Sequence, residues 1–108
     1  MNCQYEECNN EVIYKIVFPN KEEIYSCKDH MHMLNRSYGN KLVPYNYKKF
    51  NPLENWNETD EHNNLPDFMK SIEMSDGEIV DTGFVRACNW YMYKYHYIMK
   101  PIRYWKYI

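Results

Sequence analysis

The amino-terminal segment 3–30 reads CQYEECNNEVIYKIVFPNKEEIYSCKDH and holds three of the four cysteines and one of the four histidines of this 108-residue chain. Apolar side chains alternate along Val12–Phe18 with the period of a β-strand. Pro19–Lys21 has the composition of a tight turn, and Glu22–Cys27 follows as the returning strand. The segment therefore predicts a β-hairpin that brings its two cysteine-containing ends close together.

Two pairs of metal-ligating residues flank this hairpin. Cys3 and Cys8 precede it, and Cys27 and His30 follow it. Zinc takes four ligands in a tetrahedron, and structural zinc sites favour mixtures of thiolate and imidazole. We therefore predict one zinc ion bound by these four residues, with His32 as the rival for the fourth position. Because four protein ligands leave no open coordination position, the zinc is predicted to be structural. The alternatives are a chance arrangement and a disulfide bond.

This pattern resembles the treble-clef and zinc-ribbon-like fingers, in which a knuckle, a hairpin and a helix N-terminus surround a structural zinc. The resemblance covers residues 1–35 and implies that the second ligand pair lies at the start of a helix, which we expect over Lys28–Ser37. The four-residue gap between the first two cysteines is longer than the usual two. Asn9 and Asn10 follow where the family usually has Gly, and Asn tolerates the left-handed conformation that such a turn needs.

An irregular connection and two helices are predicted for the rest of the chain. Residues 40–63 are rich in Asn, Tyr and Pro. Pro66–Met74 has a proline in its first turn and predicts a short helix. A longer helix is expected from Asp81 or Thr82, either of which can cap it, to about Lys100, where a proline follows. Its apolar stripe recurs at steps of three and four residues and comprises Phe84, Cys88, Tyr91, Tyr95 and Ile98.

These elements together predict an α+β fold. Residues 1–39 form the zinc-binding hairpin-helix module, residues 40–63 the irregular connection, and residues 64–108 a helical, aromatic-rich part. We expect the helical part to pack with the module as one domain. The chain is short enough for a metal ion to contribute much of its stability.

The net charge is −2, but the charges are unevenly distributed along the chain. Residues 50–81 carry nine acidic residues and one basic residue, whereas residues 82–108 carry five basic residues and no acidic one. The sequence has no recognisable secretory signal and no apolar run of membrane-spanning length. We therefore expect an intracellular protein, in the cytoplasm or nucleus of a host cell, with reduced cysteines. The abundance of Asn, Tyr, Lys and Ile is similar to that of small proteins from AT-rich large DNA viruses.

Aromatic and basic residues are interleaved in the C-terminal third. On the predicted long helix, a second face carries aromatic side chains that a monomer would leave exposed, and such residues are enriched at interface hot spots. We therefore predict a non-catalytic module that binds a protein partner or a second copy of itself. The alternative is a protein that binds RNA or single-stranded nucleic acid, because aromatic side chains stack on bases and cations contact phosphates. The candidate partner-binding residues are Trp90, Tyr93, Tyr97, Lys100, Arg103, Trp105 and Lys106.

No motif in the sequence favours catalysis. The three glycines provide no phosphate-binding loop. Asp60, Glu61 and His62 are a candidate acid–base group or second metal site, although a solvated loop is the simpler interpretation. Cys88 belongs to the apolar stripe and is expected to be a buried hydrophobic residue, with His96 too distant to act as its base. We predict no enzymatic activity and no small-molecule substrate.

Overall fold

Antiparallel β-strands dominate the computed structural model, which describes residues 1–36, 39–60 and 62–108. The predicted α+β class with a helical C-terminal part is therefore wrong. Within the described residues the longest helix is a single turn, α1, at Met31–Leu34. No helix within these ranges is long and apolar enough to cross a bilayer.

The chain divides into two compact units, unit 1 over Met1–Asn46 and unit 2 over Tyr47–Ile108. Unit 1 contains a three-stranded antiparallel sheet in the order β2-β1-β3. Its strands are β1 at Tyr14–Val17, β2 at Glu23–Ser26 and β3 at Lys41–Pro44. The third strand lies in a region that was expected to be irregular, and it pairs with the central strand over its whole length.

The predicted N-terminal hairpin is confirmed by the pairing of β1 with β2. Ile16 lies opposite Ile24 on one side and Leu42 on the other, so these three side chains share one face of the sheet. Ile16 and Tyr14 are fully buried. The turn is closed by the Lys21 backbone N–H, which donates to the Phe18 carbonyl at 2.8 Å.

The helix expected over Lys28–Ser37 is reduced to α1. Lys28–His30 forms a turn before it, and Asn35 ends it with a non-helical backbone conformation. The end of the predicted helix at Ser37 lies outside the described residues. A helix this short cannot be stable by itself, because nucleation costs more than one turn of hydrogen bonds returns.

Unit 2 is a six-stranded antiparallel sheet in the order β4-β7-β6-β9-β5, with β8 also paired to β7. It replaces both helices predicted after residue 63, and β4 and β5 lie within the region 40–63 that was predicted to be irregular. The strands are β4 at Lys48–Lys49, β5 at Asn57–Glu58, β6 at Ile72–Ser75, β7 at Ile79–Arg86, β8 at Asn89–Met92 and β9 at Tyr104–Tyr107.

A two-residue turn explains why the long helix does not form. Phe84 and Tyr91, which the helical interpretation placed on one stripe, instead lie opposite each other in the β7–β8 hairpin. Ala87 and Cys88 connect the strands with φ of 51° and 63°, the left-handed conformation that type I′ hairpin turns require. Cys88 is exposed at this turn, so its expected place in the core is wrong.

The core of unit 2 lies on one face of its sheet. Gly83 in β7 allows the neighbouring strand β8 to come close. A Cβ atom at this position would lie 1.8 Å from the Tyr91 carbonyl oxygen. The buried cluster comprises Ile72, Met74, Val85, Ile102 and Trp105, with Trp90, Met92 and Met99 packed against it.

A buried carboxylate attaches the segment after β8 to β7. Asp81 is 3% exposed, and its oxygens accept hydrogen bonds from the backbone N–H groups of Thr82, Lys94 and Tyr95 at 2.7–2.8 Å. The expected role of Asp81 as a helix cap is therefore replaced by a long-range contact that fixes a loop.

Candidate metal centre

The first ligand pair lies in a loop at the start of unit 1. The Cys3 backbone N–H donates to the Asn10 carbonyl at 3.1 Å, which closes the base of the loop. The Cys8 N–H donates to the Tyr5 carbonyl at 3.1 Å, which forms a tight turn between the two cysteines. These bonds fold the four intervening residues back on themselves, so both sulfurs face the same region.

The left-handed residue of this loop is Glu7, with φ of 57°. The sequence had suggested that Asn9 or Asn10 would take that conformation, and neither has a positive φ. The turn therefore closes before Cys8 rather than after it, which is how a four-residue gap still forms a knuckle.

The second ligand pair follows β2. Cys27 comes directly after the last residue of the strand, and His30 is the residue before α1. The Ser26 hydroxyl donates to the Cys27 carbonyl at 2.8 Å, and the Ile13 N–H donates to the Ser26 carbonyl at 2.9 Å. The hairpin thus holds the second pair at the same end of the unit as the first.

The four side chains converge. The Sγ atoms of Cys3, Cys8 and Cys27 and a ring nitrogen of His30 all lie within 4.8 Å of one another, and this group can hold a metal ion. Cys8 Sγ is 3.8 Å from Cys27 Sγ. His30 Nδ1 is 3.3 Å from Cys27 Sγ and 3.7 Å from Cys3 Sγ.

The separations correspond to the edges of a metal tetrahedron. Bonds of about 2.3 Å to sulfur and about 2.0–2.1 Å to nitrogen give sulfur–sulfur edges of about 3.8 Å and sulfur–nitrogen edges of about 3.6 Å. Three of the six donor–donor distances, 3.3, 3.7 and 3.8 Å, are therefore close to the edges of a tetrahedron around one ion, and all six are at most 4.8 Å.

The electrostatics of Cys3 favour its thiolate. Burial is the largest influence and opposes ionisation, but hydrogen bonds from the backbone of Cys27 and Tyr5 and from the side chains of His30 and Cys27 outweigh it. Together they lower the pKa of Cys3 to about 6. The thiolate is the form that binds a metal.

The pKa of Cys8 is shifted in the opposite direction, upwards. A hydrogen bond from the Asn10 backbone favours its thiolate, but burial and the neighbouring sulfurs of Cys3 and Cys27 together raise the pKa of Cys8. Neighbouring thiolates repel one another, and a cation among them removes that repulsion. Asn10 also donates from Nδ2 to Cys27 Sγ at 3.9 Å.

The four cysteines are free thiols. The sulfurs of Cys8 and Cys27 are 3.8 Å apart, whereas a disulfide bond is about 2.05 Å long. The disulfide alternative is therefore not the arrangement in this structure. The rival ligand His32 lies on α1 and is not among the residues of the converging group.

Tyr5 was not singled out in the sequence, although it touches the site. Its ring stacks on the His30 imidazole with centroids 4.1 Å apart and an interplanar angle of 25°. The only sequence signal was an aromatic residue between the two cysteines of the knuckle.

The structure does not place the predicted partner-binding residues on one surface. Trp90 packs against the core of unit 2. Trp105 is buried in that core and donates from Nε1 to the Asn64 carbonyl at 2.7 Å. Tyr93 and Tyr97 are about half exposed, at 52% and 50%. The predicted exposed helical face is thus divided between the core of unit 2 and exposed positions after β8.

The predicted basic residues have partners within unit 2. Lys106 pairs with Glu54 and Glu73, and Lys100 lies 3.5 Å from Glu78. The Arg103 guanidinium lies over the Tyr104 ring, 5.9 Å from its centroid. Part of the positive charge of the C-terminal segment is therefore balanced by acidic residues from elsewhere in the unit.

Of the candidate group Asp60, Glu61 and His62, the structure describes Asp60 and His62. Asp60 accepts hydrogen bonds from the backbone N–H groups of His62 and Asn63 at 3.2 and 2.9 Å. The Asn63 backbone makes the largest contribution to lowering the pKa of Asp60. Glu61 lies outside the described residues. In the ranges that are described, the cluster of three or more metal-ligating side chains is the one in unit 1.

Comparisons with protein-family models, with curated proteins and with solved structures find no match to this chain, so the function has to be inferred from the geometry of the site.

Proposed function

We propose that unit 1 is a structural zinc-binding module in which Cys3, Cys8, Cys27 and His30 bind one zinc ion. The observation that carries the proposal is the convergence of four donor atoms within 4.8 Å of one another, with three of the pairs at 3.3–3.8 Å, close to the edges of a tetrahedron around zinc. Three thiolates and an imidazole suit zinc in preference to calcium or magnesium, which bind oxygen ligands.

Four protein ligands leave zinc no position for water or substrate, which is why we assign it a structural role. The bound ion would connect the N-terminal loop, the end of β2 and the start of α1. Unit 1 spans residues 1–46, a size at which a hydrophobic core seldom suffices without a metal or disulfides. The loop, hairpin and short helix around the site also support the resemblance to treble-clef and zinc-ribbon-like fingers.

Metal analysis of the purified protein tests the proposal. We expect one equivalent of zinc in the wild type and well below one in Cys3→Ser, Cys27→Ser and His30→Ala. Two matched controls are available in the chain. Cys88→Ser removes the exposed cysteine of unit 2, and His32→Ala removes the rival histidine, so both are expected to retain one equivalent.

Two results would overturn the proposal. One is a wild type that carries less than one equivalent after exposure to excess zinc and removal of free metal. The other is loss of zinc in the control variants to the same extent as in the ligand variants. Cobalt substitution provides a second readout, because tetrahedral thiolate-bound Co²⁺ absorbs visible light.

The protein-interaction role and the nucleic-acid alternative stay predictions. About half of the surface of Tyr93 and Tyr97 is exposed, which supports a protein contact, while the ion pairs of Lys100 and Lys106 reduce the charge offered to phosphates. Light scattering at two protein concentrations tests self-association. Binding to a labelled oligonucleotide that weakens steeply with salt would favour nucleic acid over protein.

A further inference from the structure

His30 offers two ring nitrogens, and the geometry distinguishes them. Nδ1 is the atom that lies 3.3 Å from Cys27 Sγ and 3.7 Å from Cys3 Sγ. Both separations are close to the edge of about 3.6 Å expected between sulfur and nitrogen ligands of one zinc ion. The ring therefore already presents Nδ1, the nitrogen nearer to the backbone, towards the sulfurs.

An imidazole can rotate about its side-chain bonds, so its orientation needs a cause. Metal-binding histidines are usually oriented by a hydrogen bond to the second ring nitrogen. Here the contact on the ring is an aromatic one, since Tyr5 stacks on His30 with centroids 4.1 Å apart. An interplanar angle of 25° keeps the two rings nearly parallel, which limits rotation of the imidazole out of its plane.

Tyr5 is itself held firmly. Its carbonyl accepts the Cys8 N–H at 3.1 Å. The preceding residue, Gln4, is bonded to Tyr25 of β2 twice, through its backbone N–H at 2.9 Å and its side-chain oxygen at 2.8 Å. The stacking ring therefore projects from a loop that is fixed both to the ligands and to the sheet.

We propose that His30 binds the metal through Nδ1 and that Tyr5 is the positioning residue that holds the imidazole in this orientation and slows the loss of the ion. The inference rests on the proposed zinc site and adds to it the ligating atom and the residue that controls how long the metal stays. The phenolic hydroxyl has no part in this role, because the contact is made by the ring.

The first test uses the wild-type protein loaded with zinc. Long-range proton–nitrogen NMR correlations of His30 distinguish coordination at Nδ1, with the proton on Nε2, from the opposite arrangement. We expect the Nδ1-bound pattern. A pattern in which Nε2 binds zinc overturns the proposal. This measurement needs no variant and therefore does not depend on whether a variant folds.

The second test compares the rate at which zinc passes to a chelating dye. Tyr5→Ala is expected to lose zinc about tenfold faster than the wild type, at the lower end of effects seen for residues that orient metal ligands. Tyr5→Phe keeps the ring and is expected to lose zinc at the wild-type rate. Tyr25→Ala is the control. It removes another ring of unit 1, one that packs edge-to-face against Tyr45 rather than on a ligand.

The outcomes separate positioning from general stability. A fast Tyr5→Ala variant beside wild-type rates in the other two variants supports the proposal. Equal acceleration in Tyr5→Ala and Tyr25→Ala, or no acceleration in either, overturns it. Failure of the zinc site itself would be distinct, because the wild type would then carry no zinc and have no transfer rate to measure.

Discussion

Asp81 illustrates how much one buried side chain can determine. One of its oxygens accepts the Thr82 N–H, and the other accepts the N–H groups of Lys94 and Tyr95. These last two contacts join residues that are 13 and 14 positions apart. A sequence pattern that considers only neighbours along a helix or strand cannot indicate them, and the prediction of a helix cap at Asp81 was wrong for that reason.

Replacing Asp81 by Asn should destabilise unit 2. An amide has one acceptor oxygen in place of two, and its NH₂ group would face backbone donors, which leaves buried groups without partners. We expect a loss of about 2 kcal/mol in the free energy of unfolding, measured by urea titration with tryptophan fluorescence. Asp67→Asn is the control, because Asp67 pairs with Lys70 at an exposed site where such pairs contribute roughly 0–1 kcal/mol. Equal losses would contradict this role for Asp81.

The β7–β8 hairpin shows which elements the sequence could indicate and which it could not. The N-terminal hairpin was predictable because Val12–Phe18 alternates and Pro19 marks the turn. The second hairpin lacks such a mark, since its turn consists of Ala87 and Cys88 instead of Asn and Gly. With aromatic residues at almost every second or third position, the segment fitted a helical period equally well.

The same turn offers a way to stabilise the protein. Ala87 and Cys88 both adopt positive φ, which costs roughly 1–2 kcal/mol per residue for side chains other than Gly, Asn and Asp. The double variant Ala87→Asn, Cys88→Gly is therefore expected to raise the free energy of unfolding by about 1 kcal/mol, again by urea titration. Ala87→Val, with a branched Cβ, should lower it. A double variant no more stable than the wild type would contradict the assigned turn.

Ion pairs of Glu54 with Lys48 of β4 and Lys106 of β9 should make unit 2 sensitive to acid. A hydrogen bond from Lys106 is the largest cause that lowers the pKa of Glu54 in the folded state, and the charge of Lys48 adds to it. A lowered folded pKa contributes stability above the unfolded pKa of about 4.3, and this stability is lost as the pH falls through the folded pKa. The wild type should therefore exceed Glu54→Gln in urea midpoint at pH 7 and match it at pH 2. A difference that persists at pH 2 would contradict this assignment.

The division into two units sets the response of the whole molecule to metal removal. The ligand group lies entirely in unit 1, while unit 2 has a core of its own. Since structural zinc contributes folding free energy directly, a chelator should unfold residues 1–46 and leave unit 2 folded. All three tryptophans lie in unit 2, so their emission reports that unit alone.

Hydrogen exchange followed by mass spectrometry checks this prediction. Peptides from unit 1 should lose protection in the presence of the chelator, while tryptophan emission stays unchanged. Added zinc should restore protection. Protection of unit 1 that survives complete metal removal would contradict the structural role of the metal. A shift in tryptophan emission would show that metal removal also affects unit 2.

The position of the ligands along the chain also determines the order of events during synthesis. All four candidate ligands precede unit 2 in the sequence, so a ribosome completes the proposed metal site before it has made the second sheet. At about 5–20 residues per second, residues 47–108 require several more seconds of translation. If unit 1 binds zinc as proposed, it can therefore take up the ion as a nascent segment, before the second sheet exists.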